Sequence, residues 1–211
     1  MNSELKKIES LPFIEANKVI TKFCLDKIKF SLKEFDFILN LQEKELINTF
    51  FNEYSLFDQK DFLLIENFIN KNLNHNNKDF ASDLIYFALD FGLDLNYKKI
   101  ISFLITDKND KECFVLACLE YLHQNIKFSY IEELVKNLKY IRNNVIYNQN
   151  EQLLASLLLF RITHKTEYLN FIKELIEFNK SNLVFLKNTL KSKIYEERYF
   201  DQHFLYLILP S

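Results

Sequence analysis

The sequence predicts an all-α protein, a right-handed superhelix of about five to six stacked antiparallel helical hairpins. Three observations carry that prediction. The 211 residues include one glycine and two prolines, too few for the tight hairpins and Gly-rich loops that need positive backbone φ. Hydrophobic residues make up 48% of the chain, with 22 phenylalanines and 11 tyrosines, and they recur at helical spacing. Finally, the tetrapeptide Ile-Lys-Phe-Ser occurs twice, at Ile28–Ser31 and Ile126–Ser129. Its serines are 98 residues apart (129 − 31), about three times the ~33-residue period of stacked helical hairpins. Each serine has a glutamate three residues on, Glu34 and Glu132, the pattern of a helix-starting capping box.

Taken in order, Ser10 with Pro12 just inside opens a helix to about Ile28, carrying Phe13, Ala16, Ile20, Phe23 and Cys24 on one stripe. Ser31 starts a short helix with Phe35, Ile38 and Leu39 inward. A third runs from about Gln42 to Tyr54 on Leu46, Ile47, Phe50 and Phe51. Asp58 or Asp61 opens the next; Asp58 as cap would set Asp61 in the first turn, where the helix dipole favours an acid. Its inward positions are Leu64, Ile65, Phe68 and Ile69. The polar stretch Asn72–Asp79 reads as a loop, and a helix over about 79–91 ends at Gly92, placed to take a left-handed conformation with Leu93 folding back.

Asn96 caps a helix with Tyr97, Ile100, Ile101 and Leu104 inward, and after the loop Thr106–Asp110 comes an apolar helix over about 111–123. Ser129 opens one that buries Ile131, Leu134, Val135 and Leu138. Asn148 or Asn150 precedes a very apolar helix to about Ile162. Thr166 caps a helix to about Phe178, and Ser181 one to about Ser192. The apolar Phe204–Leu209 implies a last helix. Residues 1–211 thus form one repeat domain, with 1–10 as an N-terminal lead-in and 195–211 as a C-terminal cap.

Charge and cysteine usage narrow the function classes. The net charge is −2, and Lys and Arg are interspersed with acids: residues 1–105 sum to −3 and residues 106–211 to +1. That balance argues against gripping a phosphate backbone, which needs clustered positive charge. Cys24, Cys113 and Cys118 are odd in number and flanked by apolar residues, which predicts free buried thiols in a reducing compartment and a cytoplasmic location. The polar N-terminus has no leader pattern, and the longest apolar run, Leu153–Phe160, is too short to span a bilayer. It predicts a helix buried on most sides.

Caps near 31, 58 or 61, 96, 129 and 166 recur at a drifting interval. In that pattern the chain resembles HEAT-like or armadillo-like α-solenoids over about residues 12–194. The usual HEAT proline and Asp/Arg pair do not recur. The resemblance implies that the second helix of each pair lines a concave recognition surface. Outward positions there are Glu66 and Asn70, then Lys99 and Ser102, Glu133, Lys136 and Asn137, and finally Asn170, Lys173 and Glu174. Tyr97, Tyr130, Tyr140 and Tyr168 recur on the same helices.

No catalytic set is visible. The histidines, His75, His123, His164 and His203, lack the close helical spacing of a metal site, and His123 and His164 fall near helix ends, where an imidazole suits the dipole. Gly92 has no serine or cysteine elbow beside it, and the neighbouring acids Glu132-Glu133 and Glu196-Glu197 point to different sides of a helix. The sequence therefore predicts a non-enzymatic module without cofactor or metal that binds another protein, in a narrower form an inhibitor or immunity-type protein occluding a toxin or enzyme. The alternative is a HEAT-like nucleic-acid-binding protein or alkylpurine DNA glycosylase-like enzyme. For that class the resemblance implies a basic groove with tryptophan; the chain has no tryptophan, and its modest basic region is Lys136, Lys139, Arg142, Arg161, Lys187 and Lys191.

Overall fold

Helix starts and stops show how far local chemistry decides this architecture. The computed structural model describes residues 4–26, 28–105 and 112–191; the predicted loop Thr106–Asp110, the cap 195–211 and His203 lie outside them. The described residues are helical, with no β-strand among them. They divide into two compact units, Met1–Leu95 and Asn96–Ser211.

In the first unit a 3-10 helix, Leu5–Ser10, precedes α1 (Phe13–Leu25) and buries Leu5 and Ile8, packing on α1. Pro12 is the cap residue of α1 rather than part of its first turn, and Ser10 donates its hydroxyl to the Lys7 carbonyl instead of capping α1. The helix stops at Leu25, short of the expected Ile28, and Phe13 stands partly exposed at its start. Ser31 caps α2 (Leu32–Leu39) as expected: its N–H and hydroxyl both donate to the Glu34 carboxylate. Next come α3 (Lys44–Glu53) and α4 (Gln59–Asn72). Asp58 is the α4 cap, and the Asp61 carboxylate reaches back to its N–H at 2.9 Å. The stretch read as a loop is one at its centre: residues 73–77 link α4, which ends at Asn72, to α5 (Lys78–Asp90), which begins where the Asn77 side chain accepts the N–H groups of Asp79 and Phe80. Gly92 has φ 64°, and Leu93 and Gly92 donate back to the carbonyls of Ala88 and Leu89, closing α5 in a Schellman motif.

The second unit opens with Asn96 capping α6 (Tyr97–Ser102), followed by α7 (Glu112–Gln124) and α8 (Ile131–Asn143). Here the second tetrapeptide departs from the first. Phe128–Tyr130 form a 3-10 turn, Tyr130 occupies the cap position, and the predicted Ser129–Glu132 box is not formed. A shift of one residue explains this. In the first copy the hydroxyl of Tyr54 accepts the N–H of Phe30, and Phe30 is buried against Phe23, Phe50 and Tyr54. In the second copy the hydroxyl of Tyr97 accepts the N–H of Lys127, one residue earlier, and Phe128 is 84% exposed.

Asn148, not Asn150, caps α9 (Gln149–Thr163) in a box with Glu151. Every residue from Leu153 to Phe160 is buried, as the apolar run predicted, because α9 packs against α7, α8, α10 and α11. His164, at φ 56°, ends the helix. Thr166 is the first residue of α10 (Thr166–Phe178) rather than its cap; the short link after His164 leaves Lys165 as the extended residue. Asn179, not Ser181, serves the start of α11 (Lys180–Lys191), accepting the N–H and hydroxyl of Ser181.

Alternate helices adjoin within each unit. In the first, α1, α3 and α5 form one row and α2 packs on α4; in the second, α7, α9 and α11 form a row and α6 packs on α8. No helix among the described residues is long and apolar enough to cross a membrane.

Candidate functional site: a groove between α3 and α5

Helix α5 is the most enclosed element of the first unit. From Phe80 to Leu89 it buries everything except Asp83 and Tyr86. Its open positions, Asp79, Asp83, Tyr86 and Asp90, follow a four-three-four spacing that places them on one stripe. Across from them α3 presents Asn48 and Asn52, one turn apart. Asp83, Tyr86 and Asp90 from α5, Asn48 and Asn52 from α3, and Ser55 line a groove of about 590 Å³. Its floor is aromatic: Phe51 lies 4.2 Å from Phe87 between ring centroids, and Phe87 stacks on Phe91 at 4.4 Å.

The groove is acidic without compensation. Asp83 accepts a 2.6 Å hydrogen bond from the Asn48 amide, yet partial burial and the nearby Asp79 still hold its carboxyl above the usual aspartate range. Asp90 is raised by burial alone. Among the described residues no lysine, arginine or histidine pairs with either. Each carboxylate therefore pays a desolvation cost that a cation entering the groove would relieve.

The ten outward positions expected from sequence are distributed differently. Glu66 accepts the N–H of Asp94 at 3.1 Å, and Asn70 donates to the Asp94 carbonyl, so both half-buried side chains hold the backbone that follows α5. Asn137, also half-buried, donates to the carbonyl of Ile101 at 3.1 Å and ties α8 to α6. Ser102 returns its hydroxyl to the carbonyl of Lys99, within α6. Glu133 and Lys136 are exposed on α8, and Asn170, Lys173 and Glu174 on α10. Tyr97 and Tyr168 are buried, Tyr130 is half-buried, and only Tyr140 is largely open.

The groove residues Asn48, Asn52, Asp83, Tyr86 and Asp90 were not singled out by the sequence reading. A signal existed: on a helix otherwise apolar, three aspartates and a tyrosine at four-three-four spacing leave one stripe for solvent. Other candidate chemistry resolves into packing. Cys24 and Cys118 are buried, and burial with Glu53 nearby pushes the Cys24 thiol up to about 11. The Cys113 side chain lies outside the described ones. His123 is fully buried at the end of α7, where Arg161 donates to its carbonyl at 2.7 Å and contacts its Nδ1. His75 accepts the N–H of Asn77, and exposed His164 sits beside Phe160. No group of three or more His, Cys, Asp or Glu among the described residues is placed to hold a metal ion.

Comparison of the chain with protein-family models, with curated proteins and with solved structures finds no match.

Proposed function

We propose that the protein is a non-enzymatic binding module of stacked helical hairpins, and that its α3–α5 groove accepts a basic segment of a partner protein. One observation carries the reading: two carboxylates, Asp83 and Asp90, line a groove with an aromatic floor, and no cation among the described residues balances them. A lysine or arginine would supply the missing charge, and its aliphatic stem would cover Phe87 and Phe91. Tyr86 and the Asn48 and Asn52 amides add hydrogen-bonding capacity at the rim. The alternation of helices between two rows within each unit supports the hairpin-repeat reading.

Occlusion of an enzyme or toxin is the narrower form, and the acidic groove suits a partner whose own site is basic. The nucleic-acid alternative gains nothing from an acidic groove. Within the second unit's modest basic region, Arg161 is committed to the end of α7. The test is affinity capture with the full chain and with an Asp83→Asn/Asp90→Asn variant. The reading expects a protein recovered by the first and lost by the second; recovery of nucleic acid, released as salt rises, would favour the alternative.

A further inference from the structure

The second unit holds a guanidinium prepared in an unusual way. Arg142, in the last turn of α8, extends toward α10, where its guanidinium carbon lies 5.2 Å from the centroid of Tyr168 and 4.7 Å from that of Phe171. Its Nε is buried and has no acceptor among the described residues. The two terminal nitrogens likewise make no hydrogen bond there, and they are not enclosed. No carboxylate among the described residues pairs with it. The contrast is Arg161, whose guanidinium is spent on His123.

We propose that Arg142 is a carboxylate-docking point, an anchor for an aspartate or glutamate side chain of a partner protein. Two rings flank the half-buried guanidinium and its Nε is shielded from water, so a carboxylate meets a fork that is already partly ordered and desolvated. Arginine is among the residues enriched at the hot spots of protein interfaces. The surroundings select a single compact negative charge over a polyanion. Arg142 sits at the negative end of the α8 dipole, and α8 and α10 mix Glu132, Glu133, Glu167 and Glu174 with their lysines. This anchor stands on a different unit and opposite charge from the α3–α5 groove, so either can fail without the other.

The experiment uses the full chain labelled with ¹⁵N, read at the arginine Nε–H signals and at the backbone amides of Tyr168 and Phe171. It is titrated with sodium acetate, with inorganic phosphate, and with sodium chloride at matched ionic strength. The proposal expects the Arg142 Nε–H and the α10 amides to shift saturably with acetate, with a midpoint on the order of 10 mM, and to stay put in chloride. In Arg142→Lys, which keeps the charge and removes the fork, the α10 amides should respond at least tenfold more weakly to acetate. A response to acetate that never saturates, an undiminished response in Arg142→Lys, or phosphate binding tenfold tighter than acetate would each overturn it. Should Arg142→Lys lose the folded spectrum, the acetate and phosphate titrations of the unaltered chain still decide.

Discussion

Tyr97 receives the backbone N–H of Lys127 on its phenolic oxygen at 3.1 Å, and the ammonium of Lys127 lies 5.6 Å from the centre of the same ring. This contact fixes the approach to α8 one residue earlier than the Tyr54 contact fixes the approach to α2. Removing the hydroxyl should leave a part-buried N–H without this acceptor. Tyr97→Phe is expected to cost about 1 kcal/mol in urea unfolding and to speed amide exchange at Lys127. Unchanged exchange there would show that the contact does not hold the turn.

That difference marks where local sequence stops being legible. Ser31 with Glu34, Asp58 with Asp61 and Asn148 with Glu151 are reciprocal caps formed between residues three apart, and Gly92 needs only its own helix to close. Such features are decided within four residues and can be read from the chain. Ser129 has the same local pattern as Ser31, yet its fate is decided by Tyr97, about thirty residues upstream. The groove was missed for a related reason. Outward positions on α4, α6, α8 and α10 were assigned to recognition, whereas Glu66, Asn70 and Asn137 hold neighbouring backbone and the uncompensated acids lie on α5.

Those roles predict unequal costs at positions that look alike in sequence. Charge reversal at the exposed Glu133 or Lys136 should change stability by within about 0.5 kcal/mol. Glu66→Ala, which frees the N–H of Asp94, should cost about 1 kcal/mol or more, measured as a shift in the urea midpoint.

The burial of α9 predicts a larger effect. Leu157 has no exposed surface, so Leu157→Ala should cost roughly 2–5 kcal/mol in chemical unfolding. A neutral result would mean that the site collapses around the smaller side chain and that α9 is not the centre of its unit.

Glu120 gives the second unit a pH dependence. Burial raises its carboxyl from the ordinary 4.5 to about 7. The folded state therefore binds the proton more tightly than the unfolded state. The associated stability is fully present below about pH 4.5 and is lost as pH rises through about 7, on the order of 3 kcal/mol in all. Unfolding measured from pH 4.5 to 8 should show that decline, and Glu120→Gln should remove it. A slope that persists in the variant would assign it to other groups.

The central claim is that the α3–α5 groove takes positive charge, and the most direct measurement is the affinity of the full chain for a short Lys/Leu peptide compared with its Glu/Leu counterpart. The account predicts that the Lys/Leu peptide binds saturably and more tightly than the Glu/Leu peptide, and that its binding alone is weakened by at least about tenfold, the equivalent of ~1.4 kcal/mol, in Asp83→Asn/Asp90→Asn. Because both carboxyls are raised in the free protein, binding should also strengthen as pH rises through their titration. Equal binding of the two peptides, or undiminished binding by the double variant, would contradict it.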